Sequence, residues 1–141
     1  MAEGGGLIVV GGAKILYVED NTDNRLLIRR VLQAEGYTVL EAENAKDALQ
    51  ILYFQRPDLI LMDINLPEID GYSLTVQIKQ LPELATVPII ALTANVMRGD
   101  RERTMRAGCD GYIQKPVDVD LLPGQILKFL HPQAGSRALA G

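Results

Sequence analysis

Asp63 directly follows the run DLILM, four apolar residues behind Asp58, and precedes Asn65 and Pro67. An ion inside a strand is penalised unless it is paired or coordinated. At the carboxyl end of the strand the same carboxylate can face solvent, a metal or a substrate. Other short apolar runs also end in reactive side chains. KILYV is followed by Glu19 and Asp20, VPIIALT ends in Thr93, and GYIQ is followed by Lys115 and Pro116. Three carboxylates brought together raise one another's pKa, and a divalent cation removes that conflict. Oxygen donors without Cys or His favour Mg²⁺ or Mn²⁺ over Zn²⁺. In such a site Asp63 is the candidate nucleophile, forming an acyl phosphate. Mg²⁺, the Lys115 ammonium and the Thr93 hydroxyl would then each face one equatorial phosphoryl oxygen. Pro116 permits a cis bond that would turn the backbone and aim Lys115 inward.

These residues need a scaffold that carries strand ends to one rim. NRLLIRRVLQAEG places Leu27, Ile28, Val31 and Leu32 at helical spacing, and Gly36 stops the helix. YTVLEA (Tyr37 to Ala42) reads as a strand, and Asn44 caps the helix AKDALQILYF. The apolar strand leading to Met62 lacks polar alternation, which fits a parallel strand covered on both faces. Gly71 to Gln80 is a helix with Leu74 and Ile78 inward, and Val87 to Thr93 is a strand with Pro88 at its start. NVMRGDRERTMRAG is helical in period and closed by Gly108; GYIQ is a short strand; a last helix runs from about Asp120 to Leu130, with Pro123 in its first turn. Five β/α units in strict alternation predict a single α/β domain, a five-stranded parallel sheet with helices on both faces. Ligands bind outside the carboxyl ends of such strands. Strand two ends in Glu41 or Glu43, which fall to the side.

The 141 residues suit one domain with a full core, and 48% apolar content argues against disorder. A net charge of −4 argues against direct nucleic-acid binding by the domain. Cys109 alone excludes an internal disulfide and a cysteine metal cluster, and is expected to be a small buried side chain; His131 alone makes histidine catalysis improbable. No apolar run approaches the ~20 residues of a membrane span. LIVV, at Leu7 to Val10, is too short for a signal peptide, so the expected compartment is the cytoplasm. Residues 1–12 are expected to be a flexible leader, native or cloning-derived, residues 13–130 the domain, and residues 131–141 a loose tail with a solvated His131.

YVEDN, DLILMDINLPEIDGY, IIALTAN and GCDGYIQKP occur in the order and spacing of the response-regulator family. From about Ala13 to Leu130 the chain resembles a receiver (CheY-like) domain of two-component signalling, of stand-alone or hybrid-kinase type. The resemblance implies a flavodoxin-like strand order of 2-1-3-4-5. It implies Asp63 as phosphoacceptor, Asp20 as a direct Mg²⁺ ligand, Glu19 as a ligand through water, and the Asn65 main-chain carbonyl as a further ligand. Glu19 stands where Asp is commoner. Thr93 and Tyr112 match the switch pair: a dianion on Asp63 draws the Thr93 hydroxyl, and Tyr112 buries its ring behind it. The implied donor is a histidine kinase or histidine phosphotransfer protein. The implied output face is helix four, strand five and helix five, where Arg98, Arg101, Arg103 and Arg106 stand against Asp100 and Glu102.

Each feature also has a plainer role to weigh. A strand-end Asp or Thr often just caps a turn or helix, Lys115 could be a surface lysine, Tyr112 could be core, and the helix-four arginines could be a solvated face. The convergence of Glu19, Asp20, Asp63 and Lys115 favours the functional reading. A Mg²⁺-dependent phosphatase with an Asp nucleophile would need a second acid two residues on. That position is Asn65, so the chain is expected to be a phosphoacceptor rather than a turnover enzyme. The remaining alternative is a receiver-like interaction module that works without phosphorylation.

Overall fold

The computed structural model describes residues 12–94 and 98–130, with Arg98 described for its backbone only. The elements alternate throughout: β1 (Lys14–Val18), α1 (Thr22–Ala34), β2 (Thr38–Ala42), α2 (Ala45–Phe54), β3 (Leu59–Asp63), α3 (Gly71–Lys79), β4 (Ile89–Thr93), α4 (Arg98–Ala107), β5 (Gly111–Gln114) and α5 (Leu122–Leu130). A 3-10 turn, Pro82–Leu84, lies between α3 and β4. The strands form one sheet in the order β2-β1-β3-β4-β5, every pair parallel.

All five residues of β3 and of β4 are buried, as their unbroken apolarity predicts for central strands with helices above and below. Side chains alternate between two cores. Leu16, Val18, Ile60, Met62, Ile89 and Ala91 pack with Ala48, Leu52, Leu74 and Ile78 of α2 and α3. Ile15, Tyr17, Leu61, Ile90, Leu92 and Ile113 pack with Ile28, Leu32, Leu122 and Ile126 of α1 and α5. Cys109 is buried, as expected, in the first core.

Caps set the helix starts. The side chains of Asn21, Asn44 and Asp70 each accept a backbone N–H three residues on, at 2.8 Å. Gly36 and Gly108, just past α1 and α4, have φ of 92° and 105°, the left-handed region where glycine is unstrained. Several boundaries differ from the sequence reading, those of β2, β3 and α3 by one residue and three others by two. α1 begins at Thr22 because Asn21 caps it, two residues earlier than the apolar spacing indicates. β4 begins at Ile89, after Pro88, whose carbonyl accepts from Ile60 N at 2.9 Å. α5 begins at Leu122 rather than Asp120, because the Asp118 carbonyl takes the N–H of both Leu121 and Leu122. The expected leader up to residue 11, the expected tail with His131, and Asn95 to Met97 lie outside the described residues.

Candidate functional site: an acidic cluster at the carboxyl rim of the sheet

β1 and β3 are neighbours paired through Val18 and Met62, so the residues that follow them, Glu19 and Asp63, emerge side by side. Asp20 completes the group. Glu19, Asp20 and Asp63 each offer a carboxylate oxygen, and these oxygens all lie within 4.8 Å of one another. Glu19 and Asp63 are almost wholly buried, at 1% and 2% exposure, while Asp20 faces solvent. Buried carboxylates open to water at one exposed member form a cup for a hard cation. The donors are all oxygen, which suits Mg²⁺ or Mn²⁺.

Lys115 supplies the counter-charge. Its Nζ lies 3.4 Å from Asp63 Oδ2 and 3.4 Å from Glu19 Oε1. Its backbone N donates to the Thr93 carbonyl at 2.8 Å, which carries the β5 end to the β4 end. The Lys115–Pro116 bond is cis. Thr93 is buried at the end of β4, one residue beyond the Asp63↔Leu92 pair. Asn65 turns the chain back: its N–H donates to Asp63 Oδ1 at 3.0 Å.

Glycine is required where α3 starts. A Cβ on Gly71 would sit 2.5 Å from the Asp63 carbonyl oxygen and 2.8 Å from Ile64 Cα. The helix therefore packs directly on the backbone that presents the Asp63 carboxylate.

Burial, with the hydrogen bond to Asp63 and its charge next, holds the Glu19 carboxyl above its ordinary value; Lys115 and the Asn21 N–H pull the other way. One like-charged pair in a dry pocket explains that direction. Tyr17 lies two residues before Glu19, and its OH donates to Glu19 Oε1 at 3.2 Å. Its phenol is raised far above the usual range, by burial first and the Glu19 charge second, so it remains a donor. The Glu19 main chain is held as firmly: Arg25 Nη1 donates to its carbonyl at 2.7 Å. Arg25 is itself buried and lies 3.4 Å from Glu41 and 3.5 Å from Glu43. Glu41 also pairs with Arg29 at 2.8 Å. Glu41, in β2, and Glu43, just beyond it, thus stay outside the cluster, as read from the sequence, yet neutralise the arginine that grips the β1 end.

Tyr17 and Arg25 were not among the sequence-derived site residues. A signal for each exists in retrospect. Tyr17 shares strand parity with Glu19, and Arg25 occupies the inward stripe of α1 with Ile28 and Leu32.

Tyr112 is placed away from the acids. It pairs with Ala91 on the same face of the sheet as Thr93, is half-buried, and lies under the Arg101 guanidinium at 5.4 Å from its ring centroid. Arg103 of the same helix covers Tyr72 at 4.4 Å and approaches Asp70 at 3.9 Å. Two of the four arginines expected on helix four are therefore seated on tyrosines rather than simply solvated.

Comparison with known proteins identifies the family. The family described as "Response regulator receiver domain" matches residues 15–127. The polar-differentiation response regulator DivK of Brucella anthropi is 45% identical over 116 residues, 82% of this chain and 94% of that protein. The receiver domain of a sensor histidine kinase from Pseudomonas aeruginosa, solved with a magnesium ion coordinated in its active-site cleft, is 43% identical. It superposes with a TM-score of 0.75 over 83% of this chain and 95% of that one. A response regulator from Chloroflexus aurantiacus is 32% identical, with a TM-score of 0.81 over 84% of this chain and 98% of that one. The chain belongs to the response-regulator receiver family, whose members act as phosphoacceptors in two-component signalling.

Proposed function

We propose that this chain takes a phosphoryl group from a phosphohistidine, on a histidine kinase or a histidine phosphotransfer protein, onto Asp63. The observation that carries the reading is the buried Asp63 carboxylate, clustered with Glu19 and Asp20 and 3.4 Å from the Lys115 ammonium. In the transfer an Asp63 oxygen bonds to phosphorus as the phosphorus–nitrogen bond breaks. The bonding pair leaves with the imidazole, which takes up a proton, and an acyl phosphate remains on Asp63.

Glu19, Asp20, Asp63 and the Asn65 main-chain carbonyl are the groups that would hold Mg²⁺. When bound, it neutralises the carboxylates and the charge on the phosphoryl oxygens. Lys115 is released from its pairing with Asp63 and Glu19 to meet one phosphoryl oxygen, and the Thr93 hydroxyl meets another. Pro116 sets the direction of the loop that carries Lys115. Thr93 and Tyr112 face the same side of the sheet, which supports their working as a switch pair. A dianion at Asp63 draws Thr93, and the Tyr112 ring moves further into the core, leaving its place beneath Arg101. That motion changes the surface of α4, β5 and α5, where a downstream protein would bind. No step needs nucleic acid or a membrane, and no helix among the described residues is long and apolar enough to cross one. The working compartment is the cytoplasm, and the protein is a switch rather than a turnover enzyme.

Intact-mass spectrometry after incubation with acetyl phosphate, with and without Mg²⁺, tests the reading. The expected result is a Mg²⁺-dependent gain of one phosphoryl group that Asp63→Asn abolishes. No gain under any condition would turn the reading to a module that binds partners without phosphorylation.

A further inference from the structure

We propose that Tyr17 is a positioning residue for the cation site: its hydroxyl fixes the orientation of the Glu19 carboxylate. The inference rests on the reading of Glu19, Asp20 and Asp63 as the Mg²⁺ ligands. Glu carries one more methylene than Asp, so a glutamate at this position has an extra torsion to settle before both oxygens are placed. Three donors settle it. Asn21 N holds Oε2 at 3.2 Å, and Lys115 Nζ and Tyr17 OH hold Oε1 at 3.4 and 3.2 Å. Lys115 is shared equally with Asp63 and is drawn away when a phosphoryl group arrives. Tyr17 is the donor to Oε1 without that divided duty. Its ring is 1% exposed and packed in the core formed with α1 and α5, so the hydroxyl cannot swing aside. A phenylalanine at position 17 would preserve that packing and remove only the hydrogen bond. Residues that orient a metal ligand in this way commonly govern affinity by about 10–100-fold.

The test titrates the whole 141-residue chain with MgCl₂ by calorimetry, wild type against Tyr17→Phe, with denaturation midpoints confirming that both are folded. The expected result is a Kd for Mg²⁺ about tenfold weaker in Tyr17→Phe, the low end of that range. The Mg²⁺ concentration giving half-maximal phosphorylation from acetyl phosphate should rise in step. The rate at saturating Mg²⁺ should stay within about twofold, a split that a general loss of structure would not produce. In a Glu19→Asp background the shorter side chain withdraws from Tyr17, and adding Tyr17→Phe should then change the Kd less than about twofold. The wild type has no tryptophan, so its tyrosine fluorescence should respond to Mg²⁺, and Tyr17→Phe should remove most of that response. An unchanged Kd in Tyr17→Phe, or an equal loss in the Glu19→Asp background, overturns the inference alone. A wild type that neither binds Mg²⁺ nor gains a phosphoryl group overturns the metal-site reading and this inference with it.

Discussion

Replacing Asp63 with Asn removes one of three anions from the cluster and should stabilise the cation-free protein. Glu19 and Asp63 oxygens within 4.8 Å repel by about 3–4 kcal/mol at an effective dielectric of ~20. Asp20 adds little, since it faces water that screens it. Lys115, at 3.4 Å, attracts Asp63 by about 5 kcal/mol on the same scale. The Coulomb effects leave about 1–2 kcal/mol in favour of the wild type, so desolvation, being larger, decides the sign. A carboxylate left 2% exposed loses hydration worth several kcal/mol. An amide at this position keeps an oxygen to accept from Asn65 N. The expected gain is about 1–2 kcal/mol, read in urea denaturation with EDTA present. Added Mg²⁺ should bind the folded wild type and raise its stability by RT ln(1 + [Mg²⁺]/Kd), whereas the neutral amide of Asp63→Asn should be a poorer ligand. The two stability curves should therefore converge or cross as Mg²⁺ rises. Equal stability of variant and wild type in EDTA would refute the electrostatic reasoning. So would Mg²⁺ raising both midpoints by the same amount.

The raised Glu19 carboxyl makes a prediction of definite sign. A raised folded-state pKa gives a contribution fully present below the unfolded value of about 4.5, and lost as pH climbs through the higher folded value. In EDTA, Glu19→Gln should thus gain on the wild type as pH rises from 4.5 toward neutrality; a difference independent of pH would be inconsistent with it. Lys115→Ala should move two observables in opposite directions. Loss of the ammonium should slow phosphorylation from acetyl phosphate by about 100-fold. With one positive charge fewer beside the acids, Mg²⁺ should bind several-fold more tightly. Slower phosphorylation with weaker Mg²⁺ binding would point to a collapsed pocket rather than a missing charge.

The strand-end residues were legible because parallel β/α alternation leaves little choice of where they go. Once DLILM is a central strand, Asp63 must lie on the carboxyl rim, and Glu19, Asp20, Thr93 and Lys115 follow by the same rule. Helix starts were less legible, because they depend on which side chain caps: Asn21 and the Asp118 carbonyl each shifted a boundary by two residues. Tyr17 is one more residue of the apolar run KILYV, and strand parity with Glu19 does not by itself say that its phenol has a partner. Arg25 shares the inward stripe of α1 with Ile28 and Leu32, but that position alone names no partner. Its partners are the Glu19 carbonyl, Glu41 and Glu43, and only the packing of α1 beside β2 brings them within reach. The seating of Arg101 on Tyr112 and Arg103 on Tyr72 likewise required α4 to be placed against β5 and α3.

Lys115 and Glu19 meet across 96 residues of sequence, which has a consequence during synthesis. A ribosome adding about 5–20 residues per second completes the three acids roughly 3–10 seconds before it adds the lysine. Until the lysine is added, the cluster has its anions and not its ammonium. The acidic cluster therefore gains its counter-charge only with the last strand to emerge. A chain that stalls before β5 carries Asp63 without the ammonium proposed to assist its phosphorylation.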